Sequence, residues 1–87
     1  MLQNYQKQTR LTDGFYSSNQ QAVNRFDGDL QAMGLHLERK TLEKATVWLR
    51  QKGDMIFPVL DENLHCVGLL EVRVNENNHY STVLSIL

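Results

Sequence analysis

The sequence predicts an α+β domain: two helices packed on a three-stranded antiparallel β-meander, with an N-terminal arm available to add a strand. Three observations predict it. Apolar residues recur at spacings of three and four from Val23 to Leu37, a second apolar stripe follows at 42–49, and the last third alternates in strand fashion between turn-forming clusters. With 41% apolar and 22% charged residues in 87, the composition is that of a globular chain rather than a disordered one. A chain this short buries only about 60% of its unfolded surface, so it can build one thin core. Residues 17–87 are expected to form that single α+β domain, preceded by an arm or weak hairpin over residues 1–16.

In the arm, Tyr5, Lys7, Thr9 and Leu11 would share one strand face, and Asp13-Gly14 is a turn signal. Ser17 or Ser18 can cap the first helix, and Ser18-x-x-Gln21 has capping-box spacing. Val23, Phe26, Leu30, Met33 and Leu37 then fall on one helical face. Gly28 weakens this helix, and Gly34 is a natural stop because glycine adopts the left-handed conformation common past a helix end. The first helix is therefore expected over about residues 19–33. Thr41 is the expected cap of the second, whose stripe is Leu42, Ala45, Trp48 and Leu49, with Gly53 ending it.

Three strands should follow. Met55–Leu60 is apolar at both parities, and Pro58 suits an edge position because proline cannot donate to a ladder. After the turn Asp61-Glu62-Asn63, one face is expected to carry Leu64, Cys66, Leu70, Val72 and Val74, and the other Val67, Leu69, Glu71 and Arg73. After Asn75-Glu76-Asn77-Asn78, a final strand alternates Tyr80, Thr82, Leu84 and Ile86 with Ser81, Val83, Ser85 and Leu87. Two helices cannot cover both faces of such a sheet. Phe57, Val59, Val67 and Leu69 are the apolar residues expected on the outer face, as candidate partner contacts, and the final strand would leave an open edge.

The net charge of −1 hides an asymmetry. Residues 38–52 carry five basic side chains against two acidic, and residues 53–87 carry one against five. The total lacks the basic excess usual for nucleic-acid or membrane-surface binding. The one cysteine, Cys66, can make no internal disulfide, which fits a reducing compartment such as the cytoplasm. The start has no apolar leader, and the run Met55–Leu60 falls far short of the ~20 residues that span a bilayer.

Chemistry-bearing residues do not form a pattern. His36, His65, Cys66 and His79 lack zinc-ligand spacing, and adjacent His65 and Cys66 on a strand point to opposite faces. Neither glycine-rich phosphate motif occurs, and Cys66 falls on the more apolar strand face, where thiols are inert. Asp61 and Glu62 lie at a turn tip, where solvation leaves little reason for a tuned acid–base pair. No catalytic residue, metal or cofactor is expected.

Two stretches resemble known families. Residues 29–35 followed by 41–53 resemble the helix–turn–helix of winged-helix regulators, with the hairpin 55–74 as a wing. The resemblance implies nucleic-acid binding through Arg39, Lys40 and Lys44. It departs in the long link Leu35–Lys40 and in a wing tip bearing Asp61 and Glu62. Pro58–Leu70 is similar to the central hairpin of CBS modules, which bind adenine nucleotides in pairs. Leu69, Leu70, Glu71, Val72 and Arg73 replace that family's threonine and aspartate, so no ligand site is carried over. The expected function is a small cytoplasmic, non-enzymatic protein-interaction module that pairs with itself or another protein, with the winged-helix-like regulator as the alternative.

Overall fold

The computed structural model describes residues 7–11, 13–44 and 53–87. Its elements in chain order are β1 (Lys7–Thr9), β2 (Gly14–Phe15), α1 (Asn19–Gln31), β3 (His36–Leu37), a second helix α2 described over 39–44, β4 (Asp54–Leu60), β5 (Cys66–Val74) and β6 (His79–Ile86). All six strands belong to one antiparallel sheet ordered β1-β6-β5-β4-β3, with β2 also paired to β6. The expected architecture is thereby corrected. The domain is broadly α+β, but it is a six-stranded sheet with two short helices, not two helices on a three-stranded meander.

Helix α1 forms where the sequence places it. Ser18 is its N-cap and accepts the Gln21 amide at 3.1 Å. The Gln21 side chain reaches one residue further back than a capping box requires, accepting from the Ser17 amide and hydroxyl. At the other end Gly34 is left-handed with φ 78°, Gly34 N–H bonds Gln31 C=O, and Leu35 N–H bonds Leu30 C=O. This is the Schellman closure that ends a helix by satisfying its last carbonyls. Ala22, Val23, Phe26 and Leu30 are buried, whereas Met33 lies past the helix end and is 49% exposed.

The second helix starts earlier than Thr41. Glu38 C=O accepts the amides of Thr41 and Leu42, and the Thr41 hydroxyl donates to the Glu38 carboxylate at 2.8 Å. Ala45, Trp48 and Leu49 of the expected stripe lie outside the described residues.

The core lies between α1 and one sheet face. It comprises Phe57 and Val59 of β4, Leu70 and Val72 of β5, and Tyr80 and Leu84 of β6, with the four α1 residues and Leu37. Tyr16 closes one end, ring to ring with Phe26 at 5.8 Å and with Tyr80 at 5.5 Å. Burial raises the pKa of the Tyr80 hydroxyl, which donates to the Asn19 side-chain oxygen.

The expected open edge is occupied. Residues β1 and β2 pair not with each other but with the two ends of β6, Lys7 opposite Ile86 and Gly14 opposite Tyr80. Between them Leu11 packs against the core, and its amide donates to the hydroxyl of Thr82 at 2.9 Å. Thr82 is itself buried, so this hydrogen bond also satisfies a polar group inside the core.

In β5 the expected alternation is broken. Val59 pairs with Gly68 but Leu60 pairs with Cys66, so Val67 is the extra residue of a β-bulge. Cys66 is consequently exposed rather than packed, and Val67 packs against the core rather than facing away from it. Gly68 is buried under β6, where a Cβ would collide with the Ser85 carbonyl oxygen and press on Ile86. Gly68→Ala is expected to destabilise the domain by about 1–3 kcal/mol, read as a lowered urea midpoint at unchanged slope.

Candidate functional site

The sheet face opposite α1 is built by strand alternation. Across β4, β5 and β6 its register rows are Pro58–Leu69–Ser85, Ile56–Glu71–Val83 and Asp54–Arg73–Ser81. Leu69 has Pro58 directly beside it and Ile56 and Val83 on its diagonals, which makes a small apolar patch on the central strands. Ile56 is 56% exposed, and Pro58, Leu69 and Val83 are half-buried. Glu71 stands between Ile56 and Val83 within this patch and is neutralised by Arg73 in an ion pair of 3.1 Å.

Of the four residues expected there, only Leu69 belongs to this face. Phe57 and Val59 are fully buried beneath α1, because their register partners Leu70 and Gly68 point toward the helix. Val67 joins the core through the bulge. Ile56, Pro58 and Val83 are the residues the sequence reading did not select. The usable signal was Glu71, a charged residue whose parity marks the solvated face and whose strand neighbours on that face must share it.

A groove of about 900 Å³ lies between α1, β3 and α2. Leu37, Leu42, Leu60 and Leu64 supply its apolar part, and Arg39 and Lys40 stand exposed on its rim. Two of its carboxylates, Asp27 and Glu38, are engaged within the fold. Asp27 accepts from the Leu37 amide at 3.0 Å and from Gln31 at 2.9 Å, while Glu38 holds Thr41. Among the described residues, no buried side-chain nitrogen or oxygen lacks a partner, and no three of His, Cys, Asp and Glu converge as metal ligands. Arg39, Lys40 and Lys44 are each exposed on α2, with exposed Glu43 among them. The link between the two helices enters the sheet as β3 in place of a helix–turn–helix turn, and the hairpin 55–74 forms the sheet's centre.

Two turns share one geometry. In Asp61-Glu62-Asn63-Leu64-His65, the Asp61 side chain accepts the amides of Asn63 and His65, Asp61 N–H bonds His65 C=O, and Leu64 N–H bonds Asp61 C=O. Asn75-Glu76-Asn77-Asn78-His79 repeats every one of these bonds from Asn75. The fourth residue is left-handed in both, φ 66° at Leu64 and 61° at Asn78. Asparagine tolerates that region, whereas a leucine there is strained, and Leu64 is also 68% exposed at the mouth of the groove.

Comparison with protein-family models, with curated proteins and with solved structures finds no match. Among the described residues no helix is long and apolar enough to cross a membrane.

Two predictions follow from the paired turns. The His65 amide holds the Asp61 carboxyl below its ordinary value; the opposing effect of desolvation comes next, and the Asn63 amide and then the electrostatic pull of His65 and His36 add to the lowering. A lowered folded-state pKa adds stability above the unfolded value of about 3.8, which is lost as pH falls through the folded value. Asp61→Asn should therefore keep the turn, as Asn75 does, and flatten the acid side of the stability profile in urea titrations below pH 4 (about the unfolded value). Leu64→Asn should raise stability by about 0.5–1 kcal/mol, because the side chain then suits the left-handed backbone.

Proposed function

We propose that this chain is a small, non-enzymatic protein-interaction module of the cytoplasm that associates with a second copy of itself through the sheet face opposite α1. The observation that carries the reading is the register cluster of Ile56, Pro58, Leu69 and Val83, apolar side chains gathered on a face over which no described element packs. The face is also close to electrically neutral, since Glu71 and Arg73 pair and Asp54 lies at the margin. An isologous contact brings a surface against its own copy, so a face of one sign would repel itself and this one does not. The single cysteine supports a reducing compartment.

Size sets the strength. Three strands about 4.8 Å apart and seven residues of about 3.3 Å each give on the order of 300–400 Å². A standard interface takes about 800 Å² per partner, so the association is weak and reversible. The exposure of Arg39, Lys40 and Lys44 supports the alternative, nucleic-acid reading, which requires duplex binding that falls steeply with salt.

Light scattering across the micromolar range should show a mass rising with concentration toward twice the monomer. Leu69→Glu, and separately Val83→Glu, should return it to the monomer while leaving the circular dichroism spectrum unchanged. A wild-type chain that remains monomeric at high micromolar concentration overturns the reading.

A further inference from the structure

The far edge of β6 is covered in an unusual way, and the composition of β6 explains why cover is needed. Of the three long strands, β4 carries Asp54 and Pro58, and β5 carries Glu71 and Arg73. β6 reads His-Tyr-Ser-Thr-Val-Leu-Ser-Ile, with no Asp, Glu, Lys, Arg or Pro. Strands of six or more residues that are β-prone, uncharged and free of proline pair readily with other chains when exposed at a sheet edge. Natural edges are blunted by charge or proline, and β6 has neither.

Cover comes from the arm ahead of Tyr16, and among the described residues its pairing with β6 is short. On its inner side β6 pairs with β5 over seven consecutive residues, Gly68 to Val74. On its outer side it pairs with three residues of β1 and two of β2, and between them Leu11 bonds the Thr82 hydroxyl rather than the backbone. The Asn75 amide bonding His79 C=O and the Leu87 amide bonding Val67 C=O fix the alternation at both ends of the β5–β6 pair. The amides of Ser81, Val83 and Ser85 thus face β5, and those of Tyr80, Thr82, Leu84 and Ile86 face the arm.

We propose that the arm ahead of Tyr16, which itself stays packed on Phe26 and Tyr80, is a protective strap that opens independently of the rest of the domain, and that the β6 edge it guards pairs antiparallel with the β6 edge of a second copy when the strap is off. A charge-free edge meets its own copy without repulsion, and all its outward backbone groups gain partners. This edge is distinct from the sheet face invoked above, so neither proposal rests on the other.

The test uses the full chain in the Leu69→Glu background, which removes contacts through the sheet face. Thr9→Pro/Leu11→Asp takes one ladder donor from β1 and puts a charge where Leu11 packs, detaching the arm. Light scattering should show this chain as dimers or larger species, and adding Ser81→Lys to β6 should return it to the monomer. In the Leu69→Glu chain with its arm intact, native-state hydrogen exchange should find the amides of Tyr80, Thr82, Leu84 and Ile86 exchanging about tenfold or more faster than those of Ser81, Val83 and Ser85. A detached-arm chain that stays folded and monomeric at high micromolar concentration overturns the proposal. So does association that Ser81→Lys leaves intact. Should the detached-arm chain unfold, equal exchange of the two amide sets overturns it and unequal exchange supports it.

Discussion

Phe26 of α1 meets Tyr80 of β6 beneath Tyr16, and this contact between the helix and the sheet governs the rest of the molecule. A thirteen-residue helix about 20 Å long must shelter a sheet five strand positions wide. It can do so only over the three central strands, and apart from Leu37 of β3 the buried sheet residues are those of β4, β5 and β6 that point at it. Every other element completes what the helix leaves unfinished. Leu37 enters the core from β3 and is tied back to the helix through Asp27, while Leu11 and Tyr16 seal the β6 side. The side-chain hydrogen bonds in these places fasten the periphery to the core rather than stabilise the core itself.

The parts of this fold that were legible in the sequence are those determined locally. Ser18, the 3–4 spacing from Val23 to Leu30, and Gly34 are sufficient for α1, because capping, stripe and stop all act within a few residues. The two hairpins were legible for the same reason, with Asp61 and Asn75 each binding amides two and four residues ahead. For the short strands only part was legible: the alternation of Tyr5, Lys7, Thr9 and Leu11 marks β1 as extended, but nothing local names the partners of β1, β2 and β3. Each is two or three residues long, so its pairing depends on a neighbouring strand that offers a ladder.

The candidate surface was misread for two further physical reasons. In Met55–Leu60 both parities are apolar, so alternation cannot say which set faces the helix, and register with Leu70 and Gly68 decides it. The bulge then reverses the roles of Cys66 and Val67, and a single inserted residue leaves no mark in composition. Leu69 alone was placed correctly because it lies beyond the bulge and shares its parity with Glu71 and Arg73. The likeness of the two turns is hidden as well, since Asp-Glu-Asn-Leu-His and Asn-Glu-Asn-Asn-His differ at the first position, where either side chain offers the same oxygen acceptor, and at the fourth, where a left-handed backbone makes them alike.

The arm lies at the opposite end of the sequence from the strand it covers, with Lys7 opposite Ile86. Such a pairing closes a very long loop, an arrangement that slows folding compared with neighbouring hairpins. It has a compensating effect during synthesis, which runs from the N-terminus. When β6 leaves the ribosome the arm has long been made, and β5, its other neighbour, has just preceded it. The strand most prone to pair with a stranger thus emerges after both its proper neighbours, which are already waiting.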